Sequence, residues 1–250
     1  MSFQELVSLV PALLLAPRPE HLCLDLCAAP GSKSVQMLEA MQRAASHSGE
    51  ALYRVLAKAA SPASCAALAN AKDFPTLLEP PASGGSTPQR LALARILADV
   101  PCSGDGTTRK NAQVWRTWNR KEALSLFTIQ RNILVRAFFL LPPGGILVYS
   151  TCSLNPLENE AVVLAALSRW RERDSIEPVT LVDTAAACRD VCGLPVAQGL
   201  TRWLVPAPVR RGALYSQWGE VPEELRADAP GGAACAGLLR QEMFCGGVCA

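Results

Sequence analysis

Hydrophobic positions along this chain fall into short unbroken runs separated by stretches of helical spacing. Leu22-Cys23-Leu24-Asp25-Leu26, Leu93-Ala94-Arg95-Ile96-Leu97-Ala98 and Gly145-Ile146-Leu147-Val148-Tyr149 are mostly apolar and bounded by turn residues. Such runs predict strands buried on both faces. Between them, helices are predicted over residues 3–16 (interrupted by Pro11), 35–43, 120–141 and 156–173. The third shows Ala123, Leu126, Ile129, Ile133, Ala137 and Leu140 at helical spacing and stops at Pro142-Pro143-Gly144-Gly145; the fourth can be capped by Asn155, with Glu158 and Glu160 in its first turn. Residues 44–72 are alanine-rich, helical in propensity and without a clear strand, and residues 80–88 read as an exposed loop. In the tail, Val179-Thr180-Leu181-Val182 and Trp203-Leu204-Val205 are strand-like, and Gly, Ala and Cys dominate from Asp228.

Alternating strands and helices predict a doubly wound α/β fold, a largely parallel sheet with helices on both faces. The weak stretch 44–72 leaves that sheet one strand short. The expected organisation is a catalytic domain over residues 1–175 and a partly irregular C-terminal extension over 176–250.

Composition narrows the class. With 250 residues, half of them hydrophobic, the chain can bury a sizeable core. Ten cysteines in a chain this large and aliphatic point to reduced intracellular thiols rather than a disulfide framework. The apolar stretch from Leu6 to Ala16 is preceded by Glu5 and no basic residue, against a secretory signal. No run reaches the ~18 uninterrupted apolar residues of a membrane span. A soluble protein with no membrane partner is expected. A net charge of +2 permits a nucleic-acid partner without requiring one.

Three loops carry candidate chemistry, each directly after a predicted strand. The first, Cys27-Ala28-Ala29-Pro30-Gly31-Ser32-Lys33, opens a helix. Its small side chains let a ligand approach the backbone, and the helix start offers unpaired amides. It lacks both G-x-G-x-x-G and the Gly-Lys pair of a phosphate loop, which disfavours a dinucleotide or ATP. Alone, it could equally be a tight strand-to-helix turn.

The second and third are Asp99-Val100-Pro101-Cys102-Ser103-Gly104-Asp105-Gly106 and Tyr149-Ser150-Thr151-Cys152-Ser153-Leu154-Asn155-Pro156. Two thiols at strand ends suit covalent chemistry, since ligands of open α/β sheets bind at that edge. Between them, Arg109, Lys110, Arg116, Arg120 and Lys121 interleave with Trp115 and Trp118. Cations beside aromatics suit RNA phosphates and splayed bases; a solvated helix start with the tryptophans in the core fits the same pattern. Cys23 with Cys27, Cys188 with Cys192 and Cys245 with Cys249 have a spacing that zinc tolerates, but with two histidines in the chain no metal site is expected.

Taken in order, these pieces with Gln4-Glu5-Leu6-Val7-Ser8-Leu9-Val10-Pro11, the continuation of the second loop to Asn111, Val114-Trp115 and Trp118 resemble the catalytic domain of the Nol/Nop/Sun RNA (cytosine-5) methyltransferases, most closely the multisite-specific tRNA branch. The resemblance implies a Rossmann-like sheet and S-adenosylmethionine as cofactor. RNA, in particular tRNA, becomes the expected substrate, and a nuclear or nucleolar location is favoured over the cytoplasm. It implies Cys152 as the nucleophile that adds to cytosine C6, Cys102 as the group assisting C5 proton removal and product release, and Asp99 as the contact to the base. It further implies that residues Cys27 to Lys33, with Asp99, hold the cofactor, and that Lys33 either lowers a thiol pKa or positions that cofactor.

Relatives carry an acid that grips the ribose and an Asn-His-Asp segment near the adenine. This chain offers Glu50 as a weak substitute for the first and Asn70-Ala71-Lys72-Asp73-Phe74-Pro75 for the second, where a His-Asp pair has dropped out and Asp73 is not the counterpart. Two rival readings follow: a non-catalytic RNA-binding relative, favoured by the missing acids, and a thiol redox protein, which leaves Lys33 and Asp99 unexplained.

Overall fold

The structure, a computed structural model, describes residues 6–48, 54–56, 64–65, 70–76, 78–79, 89–90, 92–172, 178–184, 188–190, 193, 196–197, 199–200, 203, 205–206 and 214–215. Its elements in chain order are α1 (Leu6–Leu15), β1 (Leu22–Asp25), α2 (Ser32–Ser48), β2 (Arg54–Leu56), β3 (Ser64–Cys65), β4 (Leu78–Glu79), β5 (Gln89–Arg90), β6 (Arg95–Asp99), α3 (Val114–Thr117), α4 (Arg120–Leu140), β7 (Ile146–Ser150), α5 (Glu160–Arg171), β8 (Val205–Pro206) and β9 (Leu214–Tyr215). Single 3-10 turns occur at Ala71–Asp73 and Asp105–Thr107. The chain divides into two compact units, Met1–Val100 with Arg136–Ser150, and Pro101–Val135 with Thr151–Ala250.

The first unit holds a five-stranded sheet in the order β3-β2-β1-β6-β7, with every neighbouring pair parallel. The chain enters at the central β1, winds outward through β2 and β3, then returns to β6 and winds the other way. The order therefore reverses between β1 and β6, the position where open α/β sheets bind ligands beyond the strand ends. Its core joins Ala12 and Leu15 of α1 to Met37, Leu38 and Met41 of α2, with Cys23 and Leu97 beneath and Val148 packed against them. Helix α1 continues through Pro11. A proline there removes one helical hydrogen bond, and burial of Val10, Ala12 and Leu15 offsets that loss.

The strand missing from the sequence reading of residues 44–72 is present. Arg54, Val55 and Leu56 pair with Leu22, Cys23 and Leu24, and Val55 and Leu56 in turn pair with Ser64 and Cys65. Both strands are very short and set among alanines, so periodicity has nothing to register. Parallel pairing onto β1 supplies what local propensity does not.

In α4 the buried positions include Ala123, Phe127, Gln130, Leu134 and Ala137, while Ile129 is 44% exposed. Ile133 and Leu140 are buried as well, so with Ala123 and Ala137 four of the six predicted positions lie on the buried face, and Ile129 does not. By length and composition α4 passes as a membrane span, but half of the relevant stretch is buried within the protein, as in a core helix.

The second unit contains α5, which begins at Glu160 rather than at 156. The Asn155 side chain accepts from Leu157 N at 3.1 Å, closing a turn ahead of the helix instead of capping it. Val179 to Val182 form no strand. The strand expected around Trp203 shrinks to β8, paired antiparallel with β9.

Candidate active site

In the sheet unit, Asp25 ends β1 and is 6% exposed. Its Oδ2 accepts from Ser34 Oγ at 2.6 Å and its Oδ1 from Cys27 N at 3.2 Å, tying both ends of the first loop to the strand. Burial pushes the Asp25 carboxyl above the usual carboxylate range, opposed by these two hydrogen bonds. Sequence reading had counted Asp25 as strand only; an acid closing an apolar run was the available signal. Between the two ties, Ala29 and Pro30 are exposed. Gly31 has φ +110°, which a residue with a Cβ rarely adopts, and it delivers the chain into α2 at Ser32.

At the second position of that helix, Lys33 Nζ lies 2.7 Å from Asp99 Oδ2 at the end of β6. The other Asp99 oxygen accepts from Ser150 Oγ at 2.7 Å. Lys33 and Asp99 side chains are 18% and 28% exposed, so the pair is shielded yet reachable. Small residues, amides at a helix start and one cation beside one anion suit a ligand bearing both a carboxylate and an ammonium group. Cys27 is pushed up to about 12, by burial first and then by the charges of Asp25 and Asp99, and is an inert wall thiol.

In the second unit, Cys102 Sγ and Cys152 Sγ lie 3.1 Å apart, and Cys152 N donates to Cys102 Sγ at 3.2 Å. A disulfide would bring the sulfurs to about 2.05 Å, so these are two thiols in contact. Cys152 is exposed and Cys102 half-buried. The hydrogen bond to the Cys152 sulfur, followed by burial, drives the Cys102 thiol well above its ordinary value. The two sulfurs share a hydrogen bond, and Cys152, the exposed one, is the more accessible to a substrate.

The two thiol loops are fastened to each other. Gly106 N donates to Cys152 O at 3.0 Å, and Leu154 N donates to Asp105 Oδ1 at 2.8 Å. A Cβ on Gly106 would stand 2.8 Å from Cys152 O, so only glycine fits this approach. Below them lies fully buried Glu158, bonded to Ser103 and Ser153. Sequence reading had placed this residue in a helix turn.

Arg109, Lys110, Arg116 and Lys121 are exposed and Arg120 is partly so. Trp115 is 77% exposed and Trp118 41%, which removes the alternative that they fill a core. No acid interrupts the chain from Arg109 to Lys121. Glu50 lies outside the described residues, and it precedes β2, whereas the ligand edge of a parallel strand follows its last residue, here Leu56. Asn70 caps a 3-10 turn, accepting from Lys72 N at 3.2 Å, while Asp73 is exposed and pairs with Lys72 at 3.7 Å. Both have local structural partners.

A family profile described as 16S rRNA methyltransferase RsmB/F matches residues 12–208. The chain is 40% identical over 221 residues to the multisite-specific tRNA:(cytosine-C(5))-methyltransferase of Saccharomyces cerevisiae, covering 82% of this chain and 31% of that protein. It is 36% identical over 241 residues to the tRNA (cytosine(34)-C(5))-methyltransferase of Drosophila melanogaster, covering 90% and 31%. The crystal structure of PH0851 superposes with a TM-score of 0.52 at 24% identity, covering 86% of this chain and 42% of that one, and shows the same Rossmann-like fold. This chain spans about a third of the length of the curated relatives it matches. The matched stretch takes in the first loop, both thiol loops and the strands that carry them, and the chain belongs to the RsmB/F family of RNA (cytosine-5) methyltransferases.

Proposed function

We propose that the chain methylates C5 of cytosine in RNA, with tRNA as the substrate class. The observation that carries this reading is the 3.1 Å contact between the sulfurs of Cys102 and exposed Cys152. Names of relatives that act on tRNA cytosine support the substrate class.

Cytosine C5 is too weak a nucleophile to take a methyl group unaided. Cys152 thiolate adds to C6, and the displaced π electrons make C5 enamine-like, with Asp99 steadying the base through its ring nitrogen and exocyclic amine. S-adenosylmethionine, when bound, supplies an electrophilic methyl group for that carbon. Residues Cys27 to Lys33 with Asp99 would hold it, and the Lys33–Asp99 pair fits the carboxylate and ammonium of its methionine portion.

Adduct formation also prepares product release. Once the Cys152 sulfur is bonded to carbon, the hydrogen bond and charge that kept the proton on Cys102 are gone. Cys102 then loses its proton to solvent and, as thiolate, removes the C5 proton. The C5–H electron pair re-forms the ring double bond and expels Cys152 as thiolate, which restores the resting pair and leaves one proton released per methyl transferred.

Arg109, Lys110, Arg116, Arg120 and Lys121 bind RNA phosphates in this reading, and exposed Trp115 offers a face to an unstacked base. The nine residues after β2, Ala57 to Cys65, include no acid for the ribose hydroxyls. That omits a charge-assisted hydrogen bond of about 1.5–3 kcal/mol and lowers cofactor affinity roughly ten- to a hundredfold or more. Titration with S-adenosylmethionine, paired with labelled-methyl transfer to tRNA, tests the reading. Weak saturable binding with label in 5-methylcytosine is expected; no binding at millimolar cofactor would leave the RNA-binding relative standing.

A further inference from the structure

Glu158 is fully buried, and its carboxylate accepts from donors on four residues. Its Oε2 accepts from Ser103 N at 2.8 Å and Gln130 Nε2 at 3.1 Å, and its Oε1 from Ser103 Oγ at 2.5 Å, Ser153 Oγ at 2.9 Å and Asn155 Nδ2 at 3.4 Å. Ser103 directly follows Cys102, and Ser153 directly follows Cys152. One carboxylate thus grips the residue next to each thiol.

The grip extends to the other side of Cys102. Gln130 of α4 also donates to Pro101 O at 3.0 Å, so the residues flanking Cys102 on both sides are fixed through Gln130 and Glu158. Around Cys152, Asn159 Nδ2 holds Ser153 O at 2.8 Å, and Thr151 Oγ1 donates to Asn159 Oδ1 at 2.6 Å. Buried polar networks of this kind specify one geometry because a partly satisfied alternative is costly. Sulfur-to-sulfur spacing is the geometry at stake.

We propose that Glu158 is a positioning residue of the thiol pair, setting the distance at which Cys102 and Cys152 share a proton while touching no substrate itself. The inference rests on the cytosine-methylation reading for its catalytic consequence alone. A shorter or neutral side chain at 158 lets the two loops separate, and the shared proton is lost as a hydrogen bond.

The test uses Glu158→Gln and Ser153→Ala in the full chain. Alkylation of Cys102 and Cys152 by iodoacetamide is followed by peptide mass spectrometry from pH 6 to pH 10, alongside kcat, RNA KM and S-adenosylmethionine Kd. In Glu158→Gln the alkylation profile of Cys102 moves to lower pH and kcat falls about tenfold or more, with KM and Kd within about twofold, as loss of positioning requires. Ser153→Ala, which removes one hydroxyl and no charge, shifts the same profile in the same direction by less. Profiles of both thiols that superpose on wild type in both variants would overturn the proposal. Should Glu158→Gln fail to fold, an unchanged profile in Ser153→Ala overturns it alone. Should wild type transfer no methyl group, the functional reading fails while the alkylation profiles still decide the role of Glu158.

Discussion

Asp99 and Ser150 are register partners at the last positions of adjacent parallel strands, and Ser150 Oγ donates to Asp99 Oδ1 at 2.7 Å. The strands that precede the two thiol loops therefore end at the same level of the sheet. The same carboxylate takes Lys33 on its other oxygen. Lys33→Gln is expected to weaken S-adenosylmethionine binding about tenfold, and Ser150→Ala by less, because each removes one partner of a charge-assisted set. Calorimetric titration checks this, and equal affinities in all three proteins would detach the pair from cofactor binding.

Thiol titration gives a pH signature. Folded Cys27 holds its proton up to about 12, against an ordinary 9.0. At pH 8 its thiolate fraction is roughly a thousandfold below that of an unperturbed thiol, so alkylation there reaches Cys152 long before Cys27. Because the unfolded chain loses this proton near 9.0 and the folded one near 12, stability falls as pH rises across that window. Urea midpoints from pH 7 to pH 10.5 should decline less steeply in Cys27→Ala than in wild type.

Gly106→Ala places a methyl group 2.8 Å from the Cys152 carbonyl oxygen, which is backbone and cannot swing aside. The expected outcome is a stability loss of about 1–3 kcal/mol with a larger effect on capture of substrate by Cys152, since the shift lands on the nucleophile's own peptide. Denaturation midpoints and trapping rates measured on one preparation separate the two effects. Unchanged trapping would mean the loop contact is dispensable.

Trp115→Ala and Arg116→Gln act on different parts of RNA affinity. Loss of an exposed stacking face should weaken binding roughly tenfold with the salt dependence intact, whereas loss of a phosphate-facing cation should lower the slope of log K against log salt by about 1. Filter binding of tRNA between 50 and 200 mM salt, as a rough working range for such slopes, distinguishes them.

How much of this was legible in the chain depends on how each residue's role is encoded. The strands ending at Asp25 and Asp99 and the loops after them announce themselves, because a buried parallel strand is a continuous apolar run; β7, expected to be buried on both faces, is an equally apolar run but sits at the sheet edge with none of its residues buried. β2 and β3 do not, since two or three paired residues need no pattern of their own. Val179 to Val182 erred the other way, having strand-like composition with no partner strand. Glu158 was invisible for a different reason. Its sequence position is that of an ordinary acid before a helix, and its burial beneath two serines comes from loops that meet only in the fold.

Capture by tRNA containing 5-azacytidine addresses the division of labour between the thiols most directly, because nitrogen at position 5 blocks release and traps whichever sulfur has added to C6. With cofactor present, wild type and Cys102→Ala should both form a denaturation-resistant protein–RNA adduct, and Cys152→Ala should form none. An adduct that survives in Cys152→Ala and vanishes in Cys102→Ala would contradict the assignment of Cys152 as nucleophile.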